Sequence, residues 1–546
     1  MKRFPRFRAV ASAVLALVLG PLAAVAQDYP PVSSRPGQRT VRPLPGPAEG
    51  GVRLSLNEAI GLALANNQDL NVSVNEAEAS RFSLFAELGI FDPLANAAVT
   101  RSHQKIPSAS QLTGADVEER DTLDVSASVG QLLPTGGAFS LGFTTRRFET
   151  NSTFFSVNPS YSSGLTFSAN QPLLRDFGWD TTTWLIRTAR NTRDIRYQEF
   201  VRDVQTVVNA VEQSYWDLVY ALRNLEVQRE SRSLAADLNR ITRIRIDVGS
   251  LAPIDIVQTE VGIATSEQEI IIAEGLIGDA QDRLKRLLNF DATQWAVPIV
   301  PTDEVRGEQT TVNVEEGAAT ARRQRPDLRA AAYSTDSQRI RYEFYKNQTL
   351  PALDLIASYG YSGLAGVERN EAGQVFVRDG FGQSFQNVLD GDADNWSVGL
   401  SFSYPIFNRG ARGRRGEAQF TWEASKASLT ALEQNVFVEV RDAARAIDTA
   451  SRSIAAAQKA RELAERNLDA ERKRFENGMT TSFQVTEIQR DLSLARTNEL
   501  QALAVYRKAV AAYHYAIADI LEWKGIRIGE MPEPGTPEVR MWQRQP

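Results

Sequence analysis

The sequence predicts a mainly α-helical protein that also contributes strands to a membrane β-barrel, in two duplicated halves that each combine strands with long helices. Landmark motifs recur in the same order in both halves. Segments of about ten residues alternate between apolar and small polar residues, which is the strand period. Long segments without proline have apolar residues at steps of three and four, which favours supercoiled helices.

The first 26 residues have the features of a secretory signal peptide. Basic residues precede the apolar run AVASAVLALVLG, and the small residues Ala24–Ala26 suit signal peptidase, so we expect cleavage after Ala26. A Pro-rich extended arm should follow over residues 27–50. No later stretch approaches the roughly 18 consecutive apolar residues of a membrane-spanning helix. We therefore expect an exported chain without such a helix.

The composition argues against most enzymatic and ligand-binding chemistry. The chain has no cysteine, which removes disulfides, thiolate metal ligands and a lipidated N-terminal cysteine. Its two histidines, His103 and His514, make His-based metal clusters and catalytic triads hard to assemble, and we expect His514 to be a packing or lumen residue. The net charge of −6 does not suggest nucleic-acid binding. We predict no enzyme, no cofactor, no metal site and no nucleic-acid partner.

Paired landmarks indicate an internal duplication. NNQDLNVSVNEAEAS parallels QRPDLRAAAYSTDSQ, and each is followed by a proline, Pro93 or Pro351, that ends the helical pattern. Later, ANQPLLRDFG around Pro172 parallels FSYPIFNRG around Pro405. The separation of the copies falls from 258 residues at the first pair of prolines to 233 at the second. The first half therefore has 25 extra residues between its two prolines.

The first repeat is predicted over residues 51–290, with a helix over 54–90, strands over 94–172 and long helices over 173–289. The extra residues coincide with an additional hairpin over 121–148, in which TLDVSASVGQL and AFSLGFTTRRF flank the short turn LPTGG. This hairpin brings the first half to four strands. We favour a hairpin that joins the barrel wall, because its outward residues are apolar; a hairpin folded outside the wall is the alternative.

The second repeat, over residues 313–525, contains the same kinds of element. The predicted order is a connector at 291–312, a helix over 313–350, strands over 353–404, long helices over 406–523 and a C-terminal tail at 526–546. In NWSVGLSFSY every second residue is apolar or aromatic, and the others are Asn, Ser or Gly. A soluble sheet can have this pattern, but in an exported protein it also fits a barrel of the outer membrane.

Each half also has a coiled-coil seam of apolar residues at steps of three and four. In the first half the seam is Val201, Val204, Val208, Val211, Tyr215, Leu218, Leu222 and Leu225. In the second half it is Val440, Ala443, Ile447, Ala450, Ile454 and Ala457. The small members of the second seam allow helices to approach each other closely.

Two stretches, RIDVGSLAPIDIVQTEVGI and RFENGMTTSFQVTEIQRDL, repeat one pattern around Gly249 and Gly478, 229 residues apart. A glycine in the left-handed conformation commonly ends a helix. The next helix is expected to begin at Pro253 in the first copy and at Ser482 in the second. Each stretch is therefore predicted to form the tip of a helical hairpin.

Five motifs in this order resemble the TolC-like outer-membrane efflux proteins, over roughly residues 54–522: LSLNEAIGLALANNQDLNVSVNEAEA, QPLLRDFG, RPDLRAA with LPALDLIASYGY, YPIFNRGARGRRGEA and RFENGMTTSFQVTEIQRDLSLA. The resemblance implies a homotrimer whose strands form one barrel in outer-membrane lipid and whose helices form a hollow α-barrel in the periplasm. It implies the exit duct of a tripartite efflux or type I secretion system, working with a periplasmic adaptor and an inner-membrane pump. Family members usually have four strands per protomer; the six predicted here would give 18 in a trimer.

The resemblance also implies candidate site residues at the two tips. Asp255, Gln484 and Glu487 lie where the family has the polar and acidic residues of its periplasmic entrance. Phe475 and Thr480 lie where some members have a Tyr and an Arg that lock the gate. The candidates for adaptor docking are Gly249, Ser250, Gly478 and Met479. A threefold axis would turn Glu487 into a carboxylate ring that binds cations; ordinary solvated residues at helix starts are the alternative.

A structural trimeric coiled-coil stalk or adhesin without transport is the alternative function. It accounts for the heptads, but not for the two blocks of strands that interrupt them at matched positions. The cargo of a duct is not encoded in these motifs, since the inner-membrane partner selects it.

Overall fold

A computed structural model describes most of the chain. The described residues are 51–107, 114–304, 312–369, 374–529 and 542–544. The predicted signal peptide, 1–26, and Pro-rich arm, 27–50, lie outside them. Over the described ranges, no helix combines the length and the apolar composition needed to cross a bilayer.

The chain divides into two compact units, and both halves of the sequence contribute to each. Unit 1 comprises the described residues up to Arg81, then Asp194–Ala332, then those from Ser428 onward. Unit 2 comprises Phe82–Arg193 and Tyr333–Ala427. Unit 1 is largely helical and contains both predicted tips, whereas unit 2 contains the large sheet.

Both halves place shorter helices first, then strands, then two long helices. The first half contains β1 (Val52–Leu54), α1 (Leu56–Asn66), α2 (Gln68–Leu88), β2 (Leu94–Pro107), β3 (Val117–Leu132), β4 (Ala138–Thr150), β5 (Val157–Pro172), α3 (Trp179–Thr182), α4 (Trp184–Asp247) and α5 (Asp255–Leu288). The second contains β6 (Ile299–Pro301), α6 (Val314–Gln324), α7 (Pro326–Asn347), β7 (Ala352–Arg369), β8 (Val375–Arg378), α8 (Phe381–Asp390), β9 (Asp394–Ser403), α9 (Arg409–Glu476), α10 (Ser482–Ala516), α11 (Ile520–Trp523), β10 (Ile526–Ile528) and β11 (Trp542–Arg544). The predicted fold class, mainly α with duplicated halves of strands and long helices, is confirmed.

Two helices predicted as continuous are interrupted. The helix predicted over 54–90 breaks at Asn67, which has extended dihedral angles and whose side chain accepts a hydrogen bond from the N–H of Leu70 at 3.1 Å. Asparagine favours such a position because its short side chain replaces a missing helical partner. The helix predicted over 313–350 breaks at Arg325, because the proline that follows pushes Arg325 into the extended region and suits the first turn of the next helix.

The long helices begin later than predicted. The first was expected from residue 173, but the N–H of Leu173 donates to the carbonyl of Leu353 at 2.7 Å and so continues the sheet. Gly178, at φ 100°, then leads into α3. The helix expected from residue 406 begins at Arg409, after Asn408 at φ 42°. Glycine and asparagine tolerate positive φ, so these residues change the chain direction before each helix.

The predicted seams form the cores of unit 1. The members of the α4 seam that are at most 1% exposed are Val204, Val208, Val211, Tyr215 and Leu218. They belong to one apolar cluster with residues of α1, α2 and α5. In α9, Val440 and Ile447 are equally buried and cluster with residues of α10. Because burial of apolar surface contributes about 25 cal/mol per Å², these seams stabilise the helical hairpins.

The connector and the C-terminal tail both contain strands. β6, within the connector predicted over 291–312, pairs in parallel with β1. The hydroxyl of Tyr215 donates to Oδ2 of Asp303 at 2.5 Å, which attaches the same connector to α4. In the tail predicted over 526–546, β10 pairs antiparallel with β11. The connector is therefore part of the helical unit.

A buried ion pair attaches the residues after α11 to α4. The carboxylate of Glu212, 1% exposed, pairs with Nζ of Lys524. Burial raises the pKa of the Glu212 carboxyl, and the positive charge of Lys524 opposes this rise. Lys524 also lies 3.7 Å from the ring centroid of Trp523, which stacks on His514 at 4.2 Å. His514 is therefore a packing residue.

Unit 2 holds an antiparallel sheet of six long strands in the order β2-β3-β4-β5-β7-β9, and the short β8 also pairs with β7. The extra hairpin predicted over 121–148 lies inside this sheet, because β3 pairs with β2 and β4 pairs with β5 along most of their lengths. In its turn, the N–H of Leu133 donates to the carbonyl of Gly137 at 2.6 Å, and Gly136 has φ 86°.

The sheet has two distinct ends. At one, which we call the helix end, the strands meet the helical segments at Leu94, Pro172, Ala352 and Ser403. At the opposite, loop end, β7 is followed by β8 and α8 before the chain returns in β9. The prediction of strands over 353–404 omitted α8, which packs on β5 and β7.

Candidate functional site

Both tips end their first helix in the same way. In each copy the glycine N–H donates to the carbonyl three residues earlier, and the next N–H donates to the carbonyl five residues earlier, at 2.8–2.9 Å. Gly249 and Gly478 have φ of 76° and 74°. This left-handed conformation carries no steric cost for glycine. The glycines therefore end α4 and α9 as the sequence predicts.

The return helices of the two tips start differently. α10 begins at Ser482, as predicted, and Thr481 caps it by accepting a hydrogen bond from the N–H of Gln484 at 3.4 Å. α5 begins at Asp255, so the prediction of a start at Pro253 is wrong by two residues. No side chain caps α5. Instead, the N–H groups of Asp255, Ile256 and Val257 each donate to the carbonyl three residues earlier, and this tight turn leads into the helix. The duplicated sequence thus produces two unequal tips.

Arg245 of the first tip forms hydrogen bonds with the second tip. Its Nη1 donates to the carbonyl of Phe475 at 2.5 Å, and its Nη2 donates to the carbonyl of Glu476. Its guanidinium also lies 4.7 Å from the centroid of the Phe475 ring. These carbonyls end α9, where a helix favours positive charge, and the planar guanidinium can reach two acceptors at once. One side chain therefore joins the two hairpins of the chain.

Phe475 is a buried residue of the tip. It is 2% exposed and clusters with Leu238, Leu468 and Val485, which come from α4, α9 and α10. The resemblance placed it at the position of a gate-locking tyrosine. In this chain its ring packs between helices, and its carbonyl accepts a hydrogen bond from Arg245.

Asp255 and Thr480 bind partners within the same chain. Oδ1 of Asp255 accepts a hydrogen bond from Oγ of Ser482 at 3.4 Å, which brings the starts of α5 and α10 together. Oγ1 of Thr480 donates to the carboxylate of Glu471. Glu471 also pairs with Arg474 at 3.4 Å. Both candidates therefore stabilise the tip of their own chain.

The remaining candidates are accessible. Gln484 is exposed and Glu487 partly exposed, and both lie in the first two turns of α10. The exposed residues at the extremity of the tips are Gly249, Ser250, Gly478 and Met479. Met479 is 69% exposed, which is unusual for an apolar side chain of this size. The tips thus expose backbone and polar groups together with the apolar side chains of Met479, Val248 and Ile254.

Farther along the helices, ion pairs connect both hairpins. Arg496 of α10 pairs with Glu230 of α4 at 2.8 Å and with Glu465 of α9 at 3.2 Å. Arg461 pairs with Glu465 at 3.1 Å and with Glu499 at 2.5 Å. Although partial burial favours the neutral carboxyl, hydrogen bonds from Arg496 and Arg461 hold the pKa of Glu465 below its usual value. This network fixes the relative positions of three helices.

The six long strands of unit 2 sort apolar and polar residues onto opposite faces. One row across the sheet is Ala95, Val129, Leu141, Phe167, Tyr359 and Trp396. The next row is Asn96, Ser128, Gly142, Thr166, Gly360 and Asn395. Successive residues of a strand point to opposite faces, so we call the face of the first row the apolar face and that of the second the polar face. On the apolar face Trp396, Val398 and Leu400 are 65–70% exposed.

The sheet has two open edges. In the part of the chain that the structure describes, β2 pairs only with β3, and β9 pairs only with β7. The extra hairpin β3–β4 continues both faces without a break, because its residues contribute to each row at the expected register. All six strands therefore form one two-faced surface.

Sequence reasoning missed Arg245, Glu471 and α8. Arg245 is the first residue of the repeated stretch, and its counterpart in the second copy is Arg474. The repeat therefore identifies a shared arginine position, but it does not indicate which residue Arg245 contacts. Glu471 lies one turn before the stretch. In α8 the residues Phe381, Phe385 and Leu389 have helical spacing, but ten residues are too few for that spacing to distinguish a helix from a loop.

The sequence matches the outer membrane efflux protein family over residues 59–289 and 318–516. It is 22% identical over 362 residues to outer membrane protein TolC of Vibrio cholerae, which covers 66% of this chain and 77% of that protein. It is 24% identical over 351 residues to outer membrane protein TolC of Escherichia coli, which covers 62% of this chain and 65% of that protein. The solved outer membrane channel CmeC of Campylobacter jejuni superposes with a TM-score of 0.61 at 15% identity, over 85% of this chain and 86% of that one.

These similarities agree with the duplicated architecture. The two matched ranges fall on the two predicted repeats, and the gap between them contains the connector strand β6. The likeness to the solved channel shows that the fold is shared. The family match extends over most of the chain, and the chain therefore belongs to the outer membrane efflux protein family.

Proposed function

We propose that the protein is the outer-membrane exit duct of a tripartite efflux or type I secretion system and carries substrates from the periplasm to the exterior. The observation that carries this proposal is the two-faced sheet of six strands. Its exposed apolar face suits lipid, and its row of Asn, Ser, Thr and Gly suits a water-filled lumen. Membership of the outer membrane efflux protein family supports the same function.

Three copies would close one barrel. An open strand edge in lipid leaves backbone groups without hydrogen bonds, at a cost of several kcal/mol each. β2 runs from the helix end to the loop end and β9 runs back, so β2 of one copy can pair antiparallel with β9 of the next. Six strands from each of three chains give 18, an even number, as bacterial outer-membrane barrels require. The extra hairpin would then lie in the wall.

The tips would form the periplasmic entrance. Asp255 and Glu487 are partly exposed near the starts of the return helices, and a threefold axis would gather their carboxylates around one opening. Such a ring attracts cations and repels anions. The exposed residues Gly249, Ser250, Gly478 and Met479 would dock the periplasmic adaptor, which links the duct to the inner-membrane pump.

Engineered cysteines test the closure of the barrel, because the chain has none of its own. Ala97→Cys in β2 would be combined, one at a time, with cysteines at positions 396–402 of β9. We expect covalent dimers and trimers on oxidation for a few neighbouring positions, since disulfides form only between close Cβ atoms. The matched control combines Ala97→Cys with Leu141→Cys, which lies inside the sheet and should give no product between chains.

Conductance separates the duct from the structural stalk. The cross-linked protein would be placed in a planar bilayer and its current recorded. A duct gives discrete openings, whereas a stalk or adhesin gives trimers without current. Folded protein that fails to cross-link at every register would contradict the shared barrel.

A further inference from the structure

Helix α8 lies on the apolar face of the sheet, near the loop end. Oγ of Ser384 shares a hydrogen bond of 2.7 Å with Oγ of Ser163 in β5. Nδ2 of Asn387 donates to the carbonyl of Leu364 in β7 at 2.9 Å. Gly363 allows this approach, because a Cβ at that position would lie 2.2 Å from the carbonyl oxygen of Ser384. The helix is therefore seated closely against the outside of the sheet.

The packing of α8 leaves one apolar flank uncovered. Ser384 and Val388 face the sheet and are at most 3% exposed. Phe381, Phe385 and Leu389 recur every four residues and therefore lie along one side of the helix. They are 45%, 39% and 54% exposed. A helix that only covered the sheet would not need these three large side chains.

The apolar flank points toward the middle of the apolar face. The ring of Phe385 meets that of Phe143 edge-on, at 5.5 Å between centroids. Phe143 lies two residues nearer the helix end than Thr145, the partner of Ser163. At about 3.4 Å per residue, Phe385 therefore contacts the sheet about 7 Å closer to the helix end than the level of Ser163, where α8 is attached. The amide of Asn387 reaches the opposite way, toward the loop end.

α8 also lies where the apolar face gives way to charge. On its helix-end side the neighbouring row contains Ala97, Ala127, Phe143, Leu165 and Tyr361. On its loop-end side the same face carries Arg101 and Arg147, and then the ion pair of Lys105 with Glu119. Charged side chains are costly among acyl chains. The level of α8 thus coincides with the expected boundary of the hydrocarbon region.

We propose that α8 is an interfacial helix that inserts Phe381, Phe385 and Leu389 into the boundary between the acyl chains and the headgroups of the surrounding membrane. The inference rests on the proposed duct and adds a lipid-binding element outside the barrel wall. Interfacial helices bury their apolar side roughly 5–10 Å into this boundary, which matches the reach of the flank. Lipid is the occupant that fits, because the flank is continuous with the lipid-facing surface of the barrel.

Site-directed spin labelling tests the inference in the intact protein. Single cysteines would replace Leu389 on the apolar flank, Gln383 on the polar side of the same helix and Leu400 on the apolar face of β9. Each labelled protein would be reconstituted in palmitoyl-oleoyl phosphatidylcholine vesicles. Collision rates of the nitroxide with oxygen, which concentrates in lipid, and with a nickel chelate, which stays in water, would be compared. The collision rates are measured by electron paramagnetic resonance. Because all three positions are exposed, no substitution removes a buried packing residue.

The measurement distinguishes four outcomes. We expect oxygen to dominate at Leu389→Cys and Leu400→Cys, and the nickel chelate to dominate at Gln383→Cys. If the nickel chelate dominates at Leu389→Cys while oxygen dominates at Leu400→Cys, the interfacial helix is overturned and the duct stands. If the label at Leu389→Cys is immobile and shielded from both reagents, a protein and not lipid covers the flank, which also overturns the inference. Nickel access at Leu400→Cys would overturn the lipid-facing barrel itself, and the helix assignment with it.

Discussion

The guanidinium of Arg245 donates to the carbonyl of Phe475, across 230 residues of sequence, and so closes the two helical hairpins of one chain onto each other. Hydrogen bonds to charged groups contribute roughly 1.5–3 kcal/mol. The second donor of the same guanidinium adds a bond to Glu476. The arrangement of the tips therefore depends strongly on one side chain.

Arg245→Ala should loosen the tips. The carbonyls of Phe475 and Glu476 lose their donors, so the end of α9 should exchange its amide hydrogens faster and the channel should open more often. Hydrogen exchange over residues 474–482 and single-channel recording would measure the two effects. Arg474→Ala is the matched control, because this residue holds the same place in the repeat but pairs with Glu471 of its own helix. Equal effects of both substitutions would show that the contact of Arg245 with the end of α9 has no special role.

Glu487→Gln should reduce the preference of the channel for cations. The substitution removes one carboxylate per chain from a partly exposed position of α10, and a ring of carboxylates favours cations. The opposite kind of change, Gln484→Glu, adds a carboxylate one turn earlier in α10 and should increase the preference for cations. Reversal potentials in a potassium chloride gradient measure both. If neither substitution moves the reversal potential, Glu487 does not line the conducting path.

Gly136→Ala should destabilise the turn of the extra hairpin by about 1–3 kcal/mol. Gly136 has φ 86°, and a Cβ there would lie 2.1 Å from the carbonyl oxygen of Asp176. The temperature at which the heat-modifiable trimer dissociates on gels should therefore fall. The control is Gly142→Ala within β4, where the nearest atom to an added Cβ is 3.8 Å away. A trimer that tolerates both changes equally would indicate that this turn is not needed for assembly.

Glu212, which is buried, and Glu465, which is partly exposed, should give opposite dependences of stability on pH. Burial raises the pKa of Glu212 in the folded chain, so its contribution to stability is complete below the unfolded pKa and is lost as pH rises through the folded value. Glu212→Gln should therefore gain stability relative to the natural chain as pH rises from about 4 to 7. The pKa of Glu465 is lowered, so its contribution is present above the unfolded value and is lost on acidification.

Glu465→Gln should accordingly be least stable, relative to the natural chain, at neutral pH, and the deficit should shrink toward pH 4. Thermal unfolding of the three proteins over this range measures the differences. Parallel pH profiles for the two variants would contradict the assigned directions.

Features that depend on neighbours in sequence were predictable here. The left-handed glycines of the tips, the seams of α4 and α9 and the alternation in β9 each follow from spacing within one element. Even the extra hairpin could be inferred, because the duplicated landmarks show where the first half is longer. The continuity of both faces across β3 and β4 then follows from the period of a strand.

Features that depend on distant partners were not predictable. Nothing near Arg245 in the sequence indicates that it reaches Phe475, and nothing near Phe475 indicates that it packs against residues of α4 and α10. The break at Asn67 has a local cap, but asparagine also occurs inside helices. α8 becomes recognisable only because β5 and β7 bring Ser163 and Gly363 together beneath it.

The position of the hairpin between β2 and β5 indicates how such a wall can grow during evolution. Because the hairpin adds two strands of opposite direction, β2 and β5 are antiparallel to each other with or without it. The directions of the edge strands β2 and β9 are likewise the same in both cases. The contacts by which subunits recognise each other need not change. Barrel diameter rises roughly in proportion to strand number. In the proposed trimer, a single insertion, copied three times by symmetry, would therefore enlarge the circumference of the barrel without a compensating mutation at the subunit boundary.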